Sequence, residues 1–395
     1  MPLVDSILNL HGFQLEEISG LNPVILKVRY TEAPECVHCG AMDLRIKDTF
    51  WRWIRHESLG SRRVWLHLKA HKYFCRSCSR YFNSRFPGIL PYKRTTEAFR
   101  KEVYEKHRDG ICQKTLSERL GIGDATVERW FQALLKVKLS RKEYNPCPRV
   151  LGIDEHFFTK KDGYATTFCD VGNHNVYDVV LGRSEQALGR YFQTLPERSK
   201  VQVVIMDLSE TYRHLIRKYM PKAKIVADRF HVIRLVNHHF MKLWQLIDPE
   251  GRKNRGLLSL MRRHEEKLKP EQRLKLFSYF LRFPALEAIW QFKQKLCRLL
   301  LTKHKTRKQC KALIPVFLRD IKALKASPFE ALQTLGKTLE SWGEEIVRMW
   351  RFSKSNGVTE GFHNKMEMIS RRAFGFRNFE NYRLRVRVLC GSIST

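Results

Sequence analysis

Two cysteine pairs, Cys36-Val-His-Cys39 and Cys75-Arg-Ser-Cys78, constrain the fold of this 395-residue chain more than any other feature. Two residues between cysteines let both thiolates of a knuckle reach one ion, and two knuckles complete a tetrahedral zinc site. The chain has ten cysteines, and the other six are scattered singly, too few for a disulfide scaffold. Cytosolic thiols are therefore expected, with Cys36, Cys39, Cys75 and Cys78 holding a structural Zn2+. Strand-like stretches at Phe50–Ile54 and Val64–Leu68 separate the knuckles, which predicts an elongated zinc ribbon within residues 1–92. Four buried thiols in an apolar core are the plainer alternative, and His38 or His71 could replace one ligand.

Charge narrows the partners. Lys and Arg number 73 against 40 Asp and Glu, a formal net charge of +33. A surface that basic repels itself unless something acidic binds, and a phosphate backbone is the commonest such partner. The longest apolar runs, such as Val201–Met206, are far too short to span a bilayer. The first residues lack the basic start and long apolar run of a secretion signal. The expected location is the cytoplasm.

After Pro87 and Pro91 the pattern becomes helical. Thr95–Arg108 is a candidate helix stopped by Asp109-Gly110, and Leu116 and Leu120 share one face of a second. Gly121 suits a left-handed turn, Asp124 an N-cap, and Val127, Trp130 and Phe131 an inward stripe on a third helix. This is the pattern of a helix-turn-helix, or of an ordinary helical hairpin, within residues 93–148. In the first case Thr126, Glu128, Arg129 and Gln132 face a DNA groove, and the basic stretch Lys136–Lys142 meets phosphates.

From Arg149 the periodicity is that of strands. Val150–Phe158, Tyr164–Val171 and Val176–Leu181 follow one another; then come a helix at Ser184–Leu195, a strand at Val201–Met206, a helix at Thr211–Tyr219 and a strand at Lys224–Ala227. That order matches an α/β ribonuclease H-like sheet, with its first part at 149–235. Asp154 interrupts the first strand and Asp207 ends the fourth; these two strands are neighbours in that topology. Two close carboxylates repel unless a divalent cation sits between them, and hard oxygen ligands select Mg2+ or Mn2+. A pair of such ions can activate water or a 3′-hydroxyl for attack on a phosphodiester. A single Asp at a strand end is otherwise a turn or helix cap. Glu155, one residue on, is expected on the opposite face as a salt-bridge partner.

Residues 236–352 read as a basic all-α insertion, in which Trp244, Trp290, Trp342 and Trp350 are core residues by default, any one of them otherwise free to stack on an unpaired base. After Ser353–Gly357 a further helix, within 353–395, carries Glu360 in its first turn. Glu360 is the candidate third metal ligand, Glu367 and Glu344 are weaker ones, and Arg371 and Arg372 near the helix end are candidate DNA contacts.

The motifs Val150-Leu-Gly-Ile-Asp154-Glu, Met206-Asp207, Ala227-Asp-Arg-Phe-His-Val232, Ser355-Asn-Gly-Val-Thr-Glu-Gly361 and Ala373-Phe-Gly-Phe-Arg-Asn-Phe379 resemble those of ISL3-family insertion-sequence transposases. The likeness covers the zinc finger, the helix-turn-helix and the catalytic region. It implies a DDE recombinase with the triad Asp154, Asp207 and Glu360 and a helical insertion before the glutamate. Asp228-x-x-His231 is similar to a motif that follows the second aspartate in such enzymes. Asp228 is expected to support the site or help at the scissile phosphate; His231 either orients a leaving group or water or holds the strand–helix corner. The implied activity is cleavage of terminal inverted repeats and joining to target DNA by a homo-oligomer, at least a dimer. A non-catalytic DNA-binding regulator and a nuclease that cuts without joining are the alternatives.

Overall fold

A computed structural model describes residues 8–140, 145–352 and 356–391. The Arg141-Lys142 end of the basic stretch and Ser353–Ser355 lie outside the described residues. The chain divides into two compact units, 1–137 and 138–395.

In the first unit, strands β1 (Phe13–Ser19), β2 (Val24–Tyr30), β3 (Leu44–Leu59) and β4 (Arg62–Cys75) form a sheet in the order β1-β2-β4-β3, with β5 (Tyr81–Asn83) pairing on β4. Strict alternation builds it. Val64, Leu66, Leu68 and Ala70 are buried against Phe13, Val24, Leu26, Ile54 and Phe86, while Trp65, His67 and Lys69 point the other way. The long hairpin of β3 and β4 carries the second knuckle at its end, where Leu44 pairs with Cys75.

Three helices follow: α1 (Glu97–Arg108), α2 (Gln113–Leu120) and α3 (Asp124–Ser140). Thr96 caps α1 by accepting the Phe99 N–H at 3.2 Å. Gly121 ends α2 at φ +65°, and a Cβ there would stand 2.7 Å from the Arg63 guanidinium. Leu116, Leu120 and Val127 pack on Phe99 and Val103. Two local expectations change. Asp124 is the first residue of α3 rather than its cap, and the Gly123 carbonyl takes the N–H groups of Thr126 and Val127. Trp130 is only half-buried, edge-on to Phe99 at 5.9 Å; Leu135 completes the buried stripe with Val127 and Phe131.

The second unit is built on β6 (Val150–Thr159), β7 (Gly163–Asp170), β8 (Asn175–Leu181), β9 (Val203–Met206) and β10 (Lys224–Ala227), in the order β10-β9-β6-β7-β8. The first three strands meander antiparallel, whereas β6, β9 and β10 run parallel. Helices α4 (Glu185–Thr194) and α5 (Glu210–Tyr219) connect them, and Leu188, Phe192, Tyr212, Leu215 and Ile216 pack on one face beside Leu151 and Ile153. From Arg229 the chain is helical: α6 (Arg229–Ile247), α7 (Pro249–Lys253), α8 (Arg255–Arg262), α9 (Pro270–Arg282), α10 (Pro284–Leu300), α11 (Arg307–Lys325), α12 (Glu330–Ser341) and α13 (Gly343–Arg351). Trp244, Trp290, Trp342 and Trp350 are all buried there, so none offers a face to a base. Two final helices, α14 (Gly357–Arg372) and α15 (Phe379–Leu389), cover the opposite face through Met366, Tyr382 and Val386 on Ala165, Cys169, Val176 and Val179. Arg383 clamps α15 to β8 with two bonds to the Asp178 carboxylate, 2.7 and 2.8 Å.

Candidate active site and metal centre

The four thiols converge. Cys36 and Cys78 sulfurs lie 3.6 Å apart, as do those of Cys39 and Cys75, and all four fall within 4.8 Å of one another. Tetrahedral zinc with bonds near 2.3 Å sets its sulfurs about 3.8 Å apart, so the donor set fits that ion. The histidines have other partners: His71 Nδ1 meets the Thr49 hydroxyl at 2.9 Å, and His38 lies edge-on to Phe82. Four thiolates leave no open coordination position, which makes the centre structural.

The second site forms where the three parallel strands end. Ile153 pairs with Met206 and Met206 with Ala227, so Asp154, Asp207 and Asp228 follow in one row at the carboxyl ends of β6, β9 and β10. Open α/β sheets bind ligands at that edge. Burial, and then the charges of Asp207, Asp228 and Glu155, push Asp154 up to about 7 against a favourable bond from the Glu155 amide. Burial followed by Glu155 and Asp228 pushes Asp207 up to about 6. Asp207 Oδ1 is buried and finds no hydrogen-bond partner among the described residues. A row of carboxylates, Asp154 and Asp207 half-buried and Asp228 buried, with an orphaned oxygen is a donor set suited to a hard divalent cation.

Glu155 does leave Asp154 by the other face of β6, where it pairs with Arg183 at 2.9 Å. Alternation does not remove it from the site, however, because its charge, more than that of Asp228, helps to raise the Asp207 pKa. Glu360 stands exposed on the first turn of α14, and its charge is felt by His231. Among the described residues these carboxylates are not gathered as tightly as the thiols. His231, at the start of α6, places Nδ1 3.9 Å from Asp228, and burial holds its pKa below the ordinary value.

Several residues here escaped the sequence reading. Asn356 is 3% exposed and ties three elements together. Its Nδ2 donates to the Ile153 carbonyl at 2.9 Å, its N–H to Asp228 Oδ1 at 3.2 Å, and its Oδ1 accepts from Thr359 at 2.7 Å. Its carbonyl receives the Thr359 and Glu360 amides, so one side chain and its peptide fix the turn that presents Glu360. Gly152 makes the room: a Cβ there would sit 2.6 Å from Asn356 Oδ1. Behind Asp154, His363 Nδ1 stands 3.9 Å from its carboxylate, and a chain of contacts runs from His363 through Thr167 and His156 to the Tyr382 hydroxyl at 3.1, 2.9 and 2.9 Å. Two spacings signalled this layer: His156 two residues after Asp154 on a strand, and His363 three after Glu360 on a helix.

Of the proposed DNA contacts, Arg129, Arg371 and Arg372 are exposed. Arg129 donates to Thr126 at 3.2 Å, Gln132 to Glu128 at 2.7 Å, and Arg371 pairs with Glu367 at 2.7 Å.

A family model described as a transposase, of the ISL3 group, matches residues 151–386. The chain belongs to the ISL3 transposase family. A second model, the zinc finger of the IS204/IS1001/IS1096/IS1165 transposases, matches residues 32–78 of this transposase and takes in all four cysteines. The transposase for insertion sequence element IS1001 of Bordetella parapertussis is 22% identical over 367 residues, 89% of this chain and 87% of that protein. A 63-residue stretch, 16% of this chain, is 33% identical to an ATP-dependent protease of Lactococcus lactis subsp. lactis, covering 20% of that protein. Among the described residues no helix is long and apolar enough to cross a membrane.

Proposed function

We propose that this transposase acts as a DDE recombinase, binding the terminal inverted repeats of its element, cutting there and joining the freed 3′-hydroxyl to target DNA. The observation that carries the reading is the row of aspartates at three parallel strand ends, Asp228 buried and Asp154 and Asp207 half-buried with raised pKa values. The sheet order, with a meander of three strands and two parallel additions, supports a ribonuclease H-like core interrupted by helices before Glu360. The domain limits 1–92, 93–148, 149–235, 236–352 and 353–395 follow from the same reading; α6 runs unbroken across the third of these boundaries.

Asp154, Asp207 and Glu360 would hold two Mg2+ or Mn2+ ions, with Asp228 beside them. Bound there, the ions supply an activated oxygen nucleophile and charge relief for the leaving oxygen. The chain's own contribution is placement. Asn356 fixes Glu360 relative to Asp154 and Asp228, His363 and Thr167 back the Asp154 carboxylate, and burial keeps the aspartates dry enough to favour neutralisation by a cation over hydration. His231 is close enough to the row to orient water or a leaving group. The turn between α2 and α3 supports a helix-turn-helix in which Thr126, Arg129 and Gln132 reach bases, while Arg371 and Arg372 meet phosphates. Such enzymes need two DNA ends, so a homo-oligomer on DNA, at least a dimer, is part of the proposal. Location at the nucleoid follows from the same partner.

The experiment is a labelled element end with Mg2+, scored for both cut and joined products. Asp154→Asn, Asp207→Asn and Glu360→Gln each abolish both products while end binding survives; Glu330→Gln, at an exposed carboxylate at the start of α12, serves as the control. Cutting without joining in the parent protein assigns a nuclease instead, and full activity in Glu360→Gln removes that residue from the ligand set.

A further inference from the structure

We propose that a groove along the outer edge of β3, beside the point where Arg55 bridges to Thr95, binds a single-stranded stretch of DNA by stacking unpaired bases on Trp51 and Trp53. This rests on DNA being the substrate, and it adds a site that the carboxylate row and the α2–α3 turn do not contain. The groove encloses about 710 Å³ between β3 and the segment 81–94.

Its aromatic residues are not there to build a core. Trp51 and Trp53 are 46% and 47% exposed, although both sit in a well-paired strand. Two residues apart, they share a face, and the His67 ring fills the space between them. Centroid separations of 4.3 and 4.4 Å with interplanar angles of 26° and 17° make a three-ring stack. That stack holds both indoles in fixed orientations, each about half exposed. A base extending it gains contact at little ordering cost. Only unpaired bases present a free π-face, which selects a single strand over a duplex.

The surroundings fit the other half of a nucleotide. Arg52, Arg85 and Arg94 line the groove, and no acidic residue does. Arg52 is held in place by the Lys93 carbonyl at 2.7 Å, while Arg85 and Arg94 are exposed. Tyr81 and Tyr92, 56% and 93% exposed, add further stacking surfaces along the same wall. Cations alternating with aromatic faces are the recurrent means of holding a single strand without reading its sequence. The four tryptophans of the helical insertion are buried, so stacking by indoles falls to this edge rather than to the insertion.

The test titrates the full chain with short oligo(dT), following tryptophan fluorescence and anisotropy of the labelled strand. Binding is expected to quench the fluorescence. Trp51→Ala with Trp53→Ala should weaken oligo(dT) binding about tenfold or more, and the Phe pair should restore most of it, because stacking is the interaction removed. Arg85→Gln should lower the slope of log affinity against log salt by about 0.7. Zinc content and duplex terminal-repeat binding, measured on the same variants, report an intact fold. Oligo(dT) affinity unchanged in the Ala pair overturns the proposal, as does a Phe pair no better than the Ala pair. If duplex ends are bound and cut while oligo(dT) is ignored, the groove assignment fails alone; if neither DNA is bound, the recombinase reading fails with it.

Discussion

Gly152→Ala adds one methyl group to β6 and tests whether the Asn356 bridge organises the carboxylate row. Alanine is at home in a strand, and the backbone at 152 is not left-handed, so strain does not enter. The cost is steric. The new Cβ would meet Asn356 Oδ1 at 2.6 Å, Val171 Cγ2 at 2.8 Å and Thr359 Oγ1 at 3.2 Å. Ordinary contact begins near 3.4 Å, so Asn356 must retreat by about 0.8 Å, the difference of 3.4 and 2.6. That movement stretches its bonds to the Ile153 carbonyl and to Thr359. Overpacking of this kind costs about 1–3 kcal/mol, and a buried polar group left unpaired costs about as much again. We expect a loss of roughly 2–4 kcal/mol. For a unit of this size that lowers the melting temperature by about 4–8 °C. Cleavage of a labelled end should fall further than the folded fraction, since α14 shifts with Asn356 and takes Glu360 with it. Differential scanning calorimetry and the cleavage assay, run on Gly152→Ala beside Gly361→Ala, give the comparison. Gly361 has open space where a Cβ would go, so its variant should be slightly more stable. A Gly152→Ala protein that melts with the parent and cleaves at its rate would refute the bridge.

Three other outcomes are expected. Because burial and like charges raise the Asp154 pKa to about 7, its folded form binds protons more tightly than its unfolded form, and metal-free stability falls as pH rises from about 4 to 7. Asp154→Asn should therefore stabilise the metal-free protein at pH 8 by about 2–4 kcal/mol, and Mg2+ should raise the melting temperature of the parent but not of the variant. Burial lowers the Lys293 pKa to about 8 while its ammonium meets the Met261 carbonyl at the end of α8 at 2.6 Å; stability should rise between pH 8 and 10.5, and chemical denaturation should lose that rise in Lys293→Met. Chelating zinc, or Cys36→Ser, should unfold the ribbon and abolish specific end binding, while calorimetry still records the melting of residues 138–395.

The strands from 150 to 227 were legible because each is a short apolar run between turn residues, and parallel pairing then put Asp154, Asp207 and Asp228 in register. The knuckle spacing likewise announced the cysteine cluster. What sequence periodicity could not supply was depth at the ends of elements. Glu155 was correctly assigned to the other face, yet a strand only one residue thick leaves its charge beside Asp207. Trp130 follows the helical stripe but is only half-buried, perpendicular to Phe99 at 5.9 Å and lying under the Arg100 guanidinium at 5.2 Å. Asn356 looked like a simple helix start; its value comes from Ile153 and Asp228, 203 and 128 residues away, and no local pattern encodes such partners.

The clamp between Asp178 and Arg383 spans 205 positions of the chain, and it has a consequence for synthesis. During translation β6, β7 and β8 emerge well before the helices that cover Ala165, Cys169, Val176 and Val179, with more than a hundred residues of helical chain made in between. The nascent protein therefore carries a bare apolar sheet face, and an unfinished catalytic edge, until α14 and α15 clear the ribosome. A message cut short before Arg383 yields a sticky fragment that lacks this clamp, and only a chain that extends through α15 can seal the sheet and hold that helix in place.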